Sequence, residues 1–138
     1  MCKGDNMKLY FDNFDNVLLK EQVLLEMARI GFTDDGYEIY VHTDDPGNIP
    51  HFHYWDRKTK GDSFHTCIQL TTPEYFHHTG KEGVLNSKQR KELIKFMNEP
   101  SENYLNMNNF QTVIAAWNAN NSKNKIPLDT KMPDYTKL

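Results

Sequence analysis

The segment YEIYVHTDDPGNIPHFHYWDRKTKGDSFHTCIQL, residues 37–70, carries the clearest indication of the fold. Its segments 37–42, 51–56 and 63–70 alternate apolar and polar side chains and are rich in β-branched and aromatic residues, which is typical of β-strands. Asp, Pro, Gly and Asn crowd the connections between them, and these residues favour turns. We therefore predict three consecutive short strands that form an antiparallel meander.

The residues before the meander predict a short strand and a helix. Lys8 to Phe11 have the composition of a brief strand. Asp15 or Asn16 is placed to cap a helix that runs to Ile30, and Gly31 stands where glycine commonly follows the last helical residue.

Two helices are predicted after the meander. Asn86 with Gln89, and Asn108 with Gln111, have the spacing of capping boxes, in which two side chains satisfy backbone amides at the start of a helix. The first of these helices ends before Pro100, which cannot continue a helix. The second carries an apolar stripe at helical spacing, formed by Phe110, Val113, Ile114 and Trp117.

These elements predict an α+β fold, in which a small antiparallel sheet of three or four strands is packed on one face by two or three helices. The length of 138 residues fits one domain. We place that domain at residues 1–121. Residues 122–138 are rich in Asn, Lys, Pro and Asp, and we expect them to form a flexible C-terminal tail.

Composition narrows the class of protein. The formal net charge is −3, which argues against electrostatic binding of nucleic acid by the whole surface, although a locally basic face leaves a nucleic-acid partner open. No signal peptide is evident and no apolar run is long enough to cross a bilayer, so we expect a cytoplasmic protein without membrane contacts. Two cysteines do not make a disulfide framework in a chain of this length.

Alternation gives each predicted strand two different faces. An antiparallel register with Tyr40 opposite His53 and Trp55 opposite His65 also brings His53 opposite Cys67. One face then collects the core residues Ile39, Val41, Phe52, Tyr54, Phe64, Ile68 and Leu70. The other face, which we expect to be uncovered, collects Glu38, Tyr40, His42, His51, His53, Trp55, His65, Cys67 and Gln69.

Imidazole and thiolate are ligands that zinc and other divalent transition metals prefer. His51 and His53, two positions apart on one strand, project in parallel, and a third ligand from His42, His65 or Cys67 would complete an open, catalytic type of site. In one alternative, the histidines are half-exposed polar residues on the solvent side of the sheet. In another, His51 or His53 acts as a general acid or base without a metal, with a tyrosine such as Tyr40 stabilising an oxyanion.

The motif Pro50-His51-Phe52-His53 follows a turn that contains two aspartates and a proline. With the later helices that carry Leu93 and Trp117, it resembles the bacterial domain-of-unknown-function family forty-one sixty over residues 36–118. The resemblance implies that the two histidines of the motif matter, and that a small protein partner exists in a toxin–antitoxin-like gene pair. It implies no reaction. The N-terminal helix, the long loop 71–85, His65 and Cys67 depart from the family pattern.

Two functions follow as hypotheses. In the first, the protein binds a metal or acts as an enzyme through His51 and His53 on phosphoester or RNA substrates, with Arg57, Lys58 and Trp55 contacting the substrate. In the second, it is a non-catalytic interaction module of phage, defence or toxin–antitoxin context, and exposed Tyr40, Trp55 and the histidines bind a partner protein. Whether the protein is an enzyme, and its oligomeric state, stay open.

Overall fold

Antiparallel strands and two helices make up the computed structural model, which describes residues 7–8, 11–12, 27–42, 49–77 and 82–138. The strands are β1 (Met7–Lys8), β2 (Phe11–Asp12), β3 (Met27–Phe32), β4 (Glu38–His42), β5 (His51–Trp55) and β6 (His65–Gln69). The helices are α1 (Ser87–Asn98) and α2 (Asn109–Asn120), followed by a 3₁₀ turn over Tyr135–Lys137. The predicted α+β class is confirmed.

The main sheet has the order β3-β4-β5-β6, with each strand antiparallel to the next. The predicted meander is confirmed, and so is its register, since Tyr40 pairs with His53 and Trp55 pairs with His65. Strands β1 and β2 pair separately, with Lys8 opposite Phe11.

Strand β3 corrects the predicted first helix. Residues 27–29, which we assigned to the end of that helix, pair with β4, and Ile30 lies at a bulge in the same strand. The rest of the predicted helix lies outside the described residues. The apolar residues Ala28 and Ile30 are spaced in a way that fits one face of a strand as well as one side of a helix. The local pattern therefore does not distinguish the two structures, and pairing with β4 makes the segment a strand. Gly31 follows a bulge in this strand, where the ring of Phe96 leaves little space for a Cβ atom.

Both predicted capping boxes are present. At the start of α1, Asn86 Oδ1 accepts from the amide of Gln89, and Gln89 Oε1 accepts from the amide of Asn86. Asn108 and Gln111 repeat the pair at α2. The apolar sides of both helices pack against one face of the sheet, and the core contains Ile39, Val41, Phe52, Tyr54, Ile68, Leu70, Leu93, Met97, Val113, Ile114 and Trp117. No helix of the described residues is long and apolar enough to span a bilayer.

The opposite face of the sheet is covered as well, which corrects our expectation of an open histidine face. Tyr40 is 4% exposed and His53 5% exposed, and His51 is fully buried. The ring of Phe76, from the segment after β6, lies 4.6 Å from the ring of His51, and Trp117 of α2 lies 5.4 Å from it. Aromatic side chains on this face bury large areas when they pack together. Strand alternation predicts which face a side chain lies on, but it does not predict whether that face is covered.

Residues 122–138, for which we predicted a flexible tail, lie against the core. Tyr135 is fully buried, and its hydroxyl donates to the Gln69 carbonyl at 2.6 Å. Trp117 Nε1 donates to the Asn124 carbonyl at 2.9 Å, and Asn118 bonds both backbone groups of Ile126. Since these contacts engage the sheet and α2, the segment packs with the domain that we had placed at residues 1–121.

Candidate metal centre

Two neighbouring strands position the side chains of the centre. His53 of β5 pairs with Cys67 of β6, and His65 lies two positions before Cys67 on the same strand. Paired residues of an antiparallel ladder, and residues two apart on one strand, project from the same face. The three side chains therefore meet on the face of the sheet opposite the helices.

The potential ligand atoms form a tight triangle. His53 Nδ1 lies 2.9 Å from His65 Nε2, and Cys67 Sγ lies 3.4 Å from the first and 3.9 Å from the second. In tetrahedral zinc coordination with ordinary bond lengths, two nitrogen ligands are about 3.3 Å apart and a nitrogen and a sulfur about 3.6 Å apart. The separations in the triangle differ from these values by about 0.4 Å or less, so the three atoms lie close enough together to bind one metal ion.

Burial differs among the three candidate ligands. His53 and Cys67 are buried, whereas His65 is partly exposed. A solvent-poor environment strengthens charge interactions with a bound cation. The cluster is thus accessible from the side of His65, which belongs to the edge strand of the sheet.

Aromatic rings form a wall around the two histidines. Tyr40 stacks on His53 with ring centres 4.6 Å apart, and His53 is almost parallel to His65 at 5.2 Å. Trp55 contacts Tyr40 at 4.9 Å and meets His65 edge to face at 6.1 Å. These contacts restrict the orientations of the two imidazoles.

A buried carboxylate supports this wall. Glu38 is 1% exposed, and it accepts from Trp55 Nε1 at 2.9 Å and from Arg29 Nη1 at 2.6 Å. Sequence reasoning placed Glu38 on the correct face but missed the network, because it assigned Arg29 to a helix. The predicted contact of Trp55 with substrate stays a prediction; its indole N–H is directed toward Glu38.

A small cleft lies beside His65. It has a volume of about 230 Å³ and is lined by Gly61, Asp62, Ser63, Phe64, His65, Glu82 and Gly83. Gly83 donates its amide to the His65 carbonyl at 2.9 Å, which fixes residues 82–83 along the edge strand. The motif analysis missed Glu82, because it lies in a segment without regular structure and no spacing rule relates it to His65.

The turn that precedes β6 forms the other side of this cleft. Asp56 accepts from Ser63 Oγ at 2.5 Å and from the Lys58 amide at 3.0 Å. The hydrogen bond from Ser63 contributes most to holding the pKa of Asp56 below its ordinary value. Arg57 and Lys58, the predicted substrate-binding cations, are exposed in this turn and are not among the residues that line the cleft.

Two predicted ligands stay outside the triangle. His51 directs Nδ1 toward the Ile49 carbonyl at 2.8 Å, and its ring centre lies 5.3 Å from that of His53. The His42 ring is 6.0 Å from that of His53. Among the described residues, the group whose ligand atoms all lie within 4.8 Å of one another consists of His53, His65 and Cys67. Roles for His51, His42 and Tyr40 in metal binding or catalysis stay predictions.

No protein-family model, curated protein or solved structure matches this chain. The resemblance to family forty-one sixty therefore remains a prediction that rests on the motif Pro50–His53. The candidate centre shares only His53 with that motif, since His65 and Cys67 are among the departures from the family pattern.

Proposed function

We propose that this protein binds a divalent transition metal, zinc in the first place, through His53 Nδ1, His65 Nε2 and Cys67 Sγ. The observation that carries the proposal is the triangle of these three atoms, with separations of 2.9, 3.4 and 3.9 Å. Two nitrogens and one sulfur form a donor set that suits zinc, which takes both kinds of ligand in tetrahedral sites.

Three protein ligands leave one tetrahedral position for water or a substrate. Structural zinc sites usually close all four positions with side chains, whereas catalytic sites keep one open. Zinc in such a site polarises a carbonyl or lowers the pKa of a bound water, which supports hydrolysis. A metal-dependent enzyme is accordingly the function that this arrangement supports best.

The predicted phosphoester or RNA substrate lacks support from the cleft, because Arg57 and Lys58 do not line it. The predicted partner-binding patch lacks support for a different reason. Tyr40, His51 and His53 are buried rather than exposed, and a docking surface needs accessible side chains. A small protein partner, a toxin–antitoxin context and a cytoplasmic location remain predictions that these contacts do not address.

The test is titration of metal-free protein with Co²⁺ and Zn²⁺. We expect one equivalent to bind, with visible bands of tetrahedral Co²⁺ and a sulfur-to-cobalt charge-transfer band that Cys67→Ser abolishes. His53→Ala and His65→Ala should each weaken zinc binding about 100-fold or more, since each removes one of three ligands. His77→Ala is the matched control, because His77 is a half-exposed histidine outside the triangle.

Circular dichroism of each variant checks that a loss of metal does not reflect a loss of folding. Failure of the wild type to bind Co²⁺ or Zn²⁺ would overturn the proposal. So would binding that survives all three ligand substitutions. Preferential binding of copper would keep the ligand set and change the metal, because two histidines and a cysteine also form copper sites.

A further inference from the structure

The indole of Trp55 contacts the proposed metal centre on two sides. It meets the ring of His65 edge to face, with ring centres 6.1 Å apart. It also contacts Tyr40 at 4.9 Å, and Tyr40 stacks on the second imidazole, that of His53, at 4.6 Å. The position of this indole therefore bears directly on His65 and, through Tyr40, on His53.

The indole of Trp55 is fixed at both of its ends. Its Nε1 donates to Glu38 Oε1 at 2.9 Å, and Glu38 Oε2 accepts from Arg29 Nη1 at 2.6 Å. At the other end, the six-membered ring of the indole lies against the backbone of Gly61. A Cβ atom at Gly61 would be 3.1 Å from Trp55 Cε3 and 3.4 Å from His65 Cβ. The ring has little room to move on that side.

The buried charge of Glu38 needs an explanation other than stability. Its side chain is 1% exposed, and the cost of removing a carboxylate from water is often not recovered by an ion pair. A well-packed apolar residue at such a position is often at least as stabilising. A carboxylate does one thing that an apolar residue cannot do here: it accepts the hydrogen bond of the indole N–H and so sets the direction of the Trp55 ring.

We propose that Glu38 and Trp55 are positioning residues for the metal centre. Glu38 orients the indole, and the indole holds the imidazole of His65 in the direction that metal binding requires. The inference rests on the proposed function and adds two residues that set its metal affinity. Neither residue belongs to the group of candidate ligands, which consists of His53, His65 and Cys67.

His65 is the candidate ligand for which such support matters most. It is partly exposed, whereas His53 and Cys67 are buried. A partly exposed side chain has more rotational freedom, and ordering it during binding lowers the affinity. An imidazole that already points toward the other ligand atoms avoids this cost. Contacts that orient metal-bound histidines typically change metal affinity about 10- to 100-fold.

The experiment compares the Co²⁺ affinities and visible spectra of paired variants. Glu38→Leu removes the acceptor of the indole N–H, and Trp55→Phe keeps an aromatic ring but removes the donor. We expect each change to weaken Co²⁺ binding about tenfold and to shift the visible bands of the bound ion, because a misdirected imidazole distorts tetrahedral coordination. Glu38→Gln keeps an oxygen acceptor for the indole, and its Co²⁺ affinity should stay within about threefold of the wild type.

Tyr135→Phe is the matched control for a loss of stability. It also removes one side-chain hydrogen bond of an aromatic residue, the bond to the Gln69 carbonyl. Tyr135 packs on Phe52, on the face of the sheet that the helices cover, so Co²⁺ affinity should be unchanged. Urea unfolding of the metal-free variants measures what each change costs in stability. Because Trp55 is partly exposed, Trp55→Phe remains informative if Glu38→Leu folds poorly.

The outcomes separate the positioning role from the metal site itself. Wild-type affinity and spectrum in both Glu38→Leu and Trp55→Phe would overturn the positioning role and leave the metal site intact. Equal weakening in Glu38→Leu and Glu38→Gln would also overturn it, and so would a loss in Tyr135→Phe as large as that in Trp55→Phe. Absence of Co²⁺ binding to the wild type would overturn both proposals. Weaker binding with shifted bands that Glu38→Gln largely restores supports the positioning role.

Discussion

His53 Nδ1 lies 2.9 Å from His65 Nε2, although the two residues are twelve positions apart in the chain. The separation follows from the register of β5 and β6, in which His53 pairs with Cys67 and Trp55 pairs with His65. Two imidazoles this close share a hydrogen bond in the absence of a metal and can release it to bind one. The relationship connects the sheet pairing directly to the proposed chemistry.

Zinc should stabilise the folded protein. At a free zinc concentration about 100 times the dissociation constant, the gain in unfolding free energy is about 2.7 kcal/mol. That gain raises the melting temperature of a domain of this size by about 10 °C. Differential scanning fluorimetry with and without zinc measures it. The shift should disappear in His65→Ala and persist in His77→Ala; an equal shift in both would contradict the assigned ligands.

Removal of the Glu38 side chain should destabilise the aromatic wall. Glu38→Leu leaves the indole N–H of Trp55 and the guanidinium of Arg29 without their acceptor, which costs about 1–3 kcal/mol in unfolding free energy. Glu38→Gln keeps an amide oxygen as acceptor, so its loss should be smaller. Urea unfolding followed by tryptophan fluorescence gives both values. Glu102→Gln changes an exposed carboxylate and should be neutral. Equal costs for Glu38→Leu and Glu102→Gln would rule out a supporting role for Glu38.

Tyr135 should matter to the stability of the whole domain. Its ring is fully buried, so Tyr135→Ala should lower the unfolding free energy by about 3–5 kcal/mol. Tyr135→Phe removes only the hydrogen bond to the Gln69 carbonyl and should cost about 1 kcal/mol. Chemical denaturation measures both changes, with exposed Lys137→Ala as the control. A negligible effect of Tyr135→Ala would restore the flexible tail that we first expected.

Stability should fall in alkaline solution. Burial raises the pKa of Tyr135 above the ordinary value, and burial raises that of Tyr54 in the same direction. Above pH 10 or so, the unfolded chain loses phenol protons that the folded protein retains, so stability is complete below this pH and declines above it. Each such tyrosine contributes a slope of about 1.4 kcal/mol per pH unit. Urea unfolding at pH 8, 10.5 and 11.5 should show a shallower decline for Tyr135→Phe. Identical slopes would contradict the assignment.

Local patterns predicted much of the architecture. Alternation and turn composition identified β4, β5 and β6 and their pairing, because one face had to carry Phe52 and Tyr54 into the core. The two capping boxes identified the starts of α1 and α2, since Asn followed by Gln three residues later satisfies backbone amides locally. Both kinds of signal act over a few residues and do not depend on distant contacts.

Other features depended on contacts between distant parts of the chain. Ala28 and Ile30 fit a helix and a strand equally well, and only the pairing of residues 27–29, 31 and 32 with β4 made this segment a strand. Tyr135 reaches the Gln69 carbonyl from 66 positions away. No local pattern predicts such a contact, because its energy arises only after the sheet and helices have formed a surface to receive the side chain.

Strand alternation was enough to predict the possible metal ligands, because it placed His42, His51, His53, His65 and Cys67 on one face of the meander. Only the tertiary structure selected His53, His65 and Cys67 among them. Side-chain rotamers and burial decided this choice: His51 turns toward the Ile49 carbonyl and packs on Phe76, whereas Tyr40 and Trp55 hold the rings of His53 and His65 together. Strand periodicity defines a face, and packing between distant residues defines a site on it.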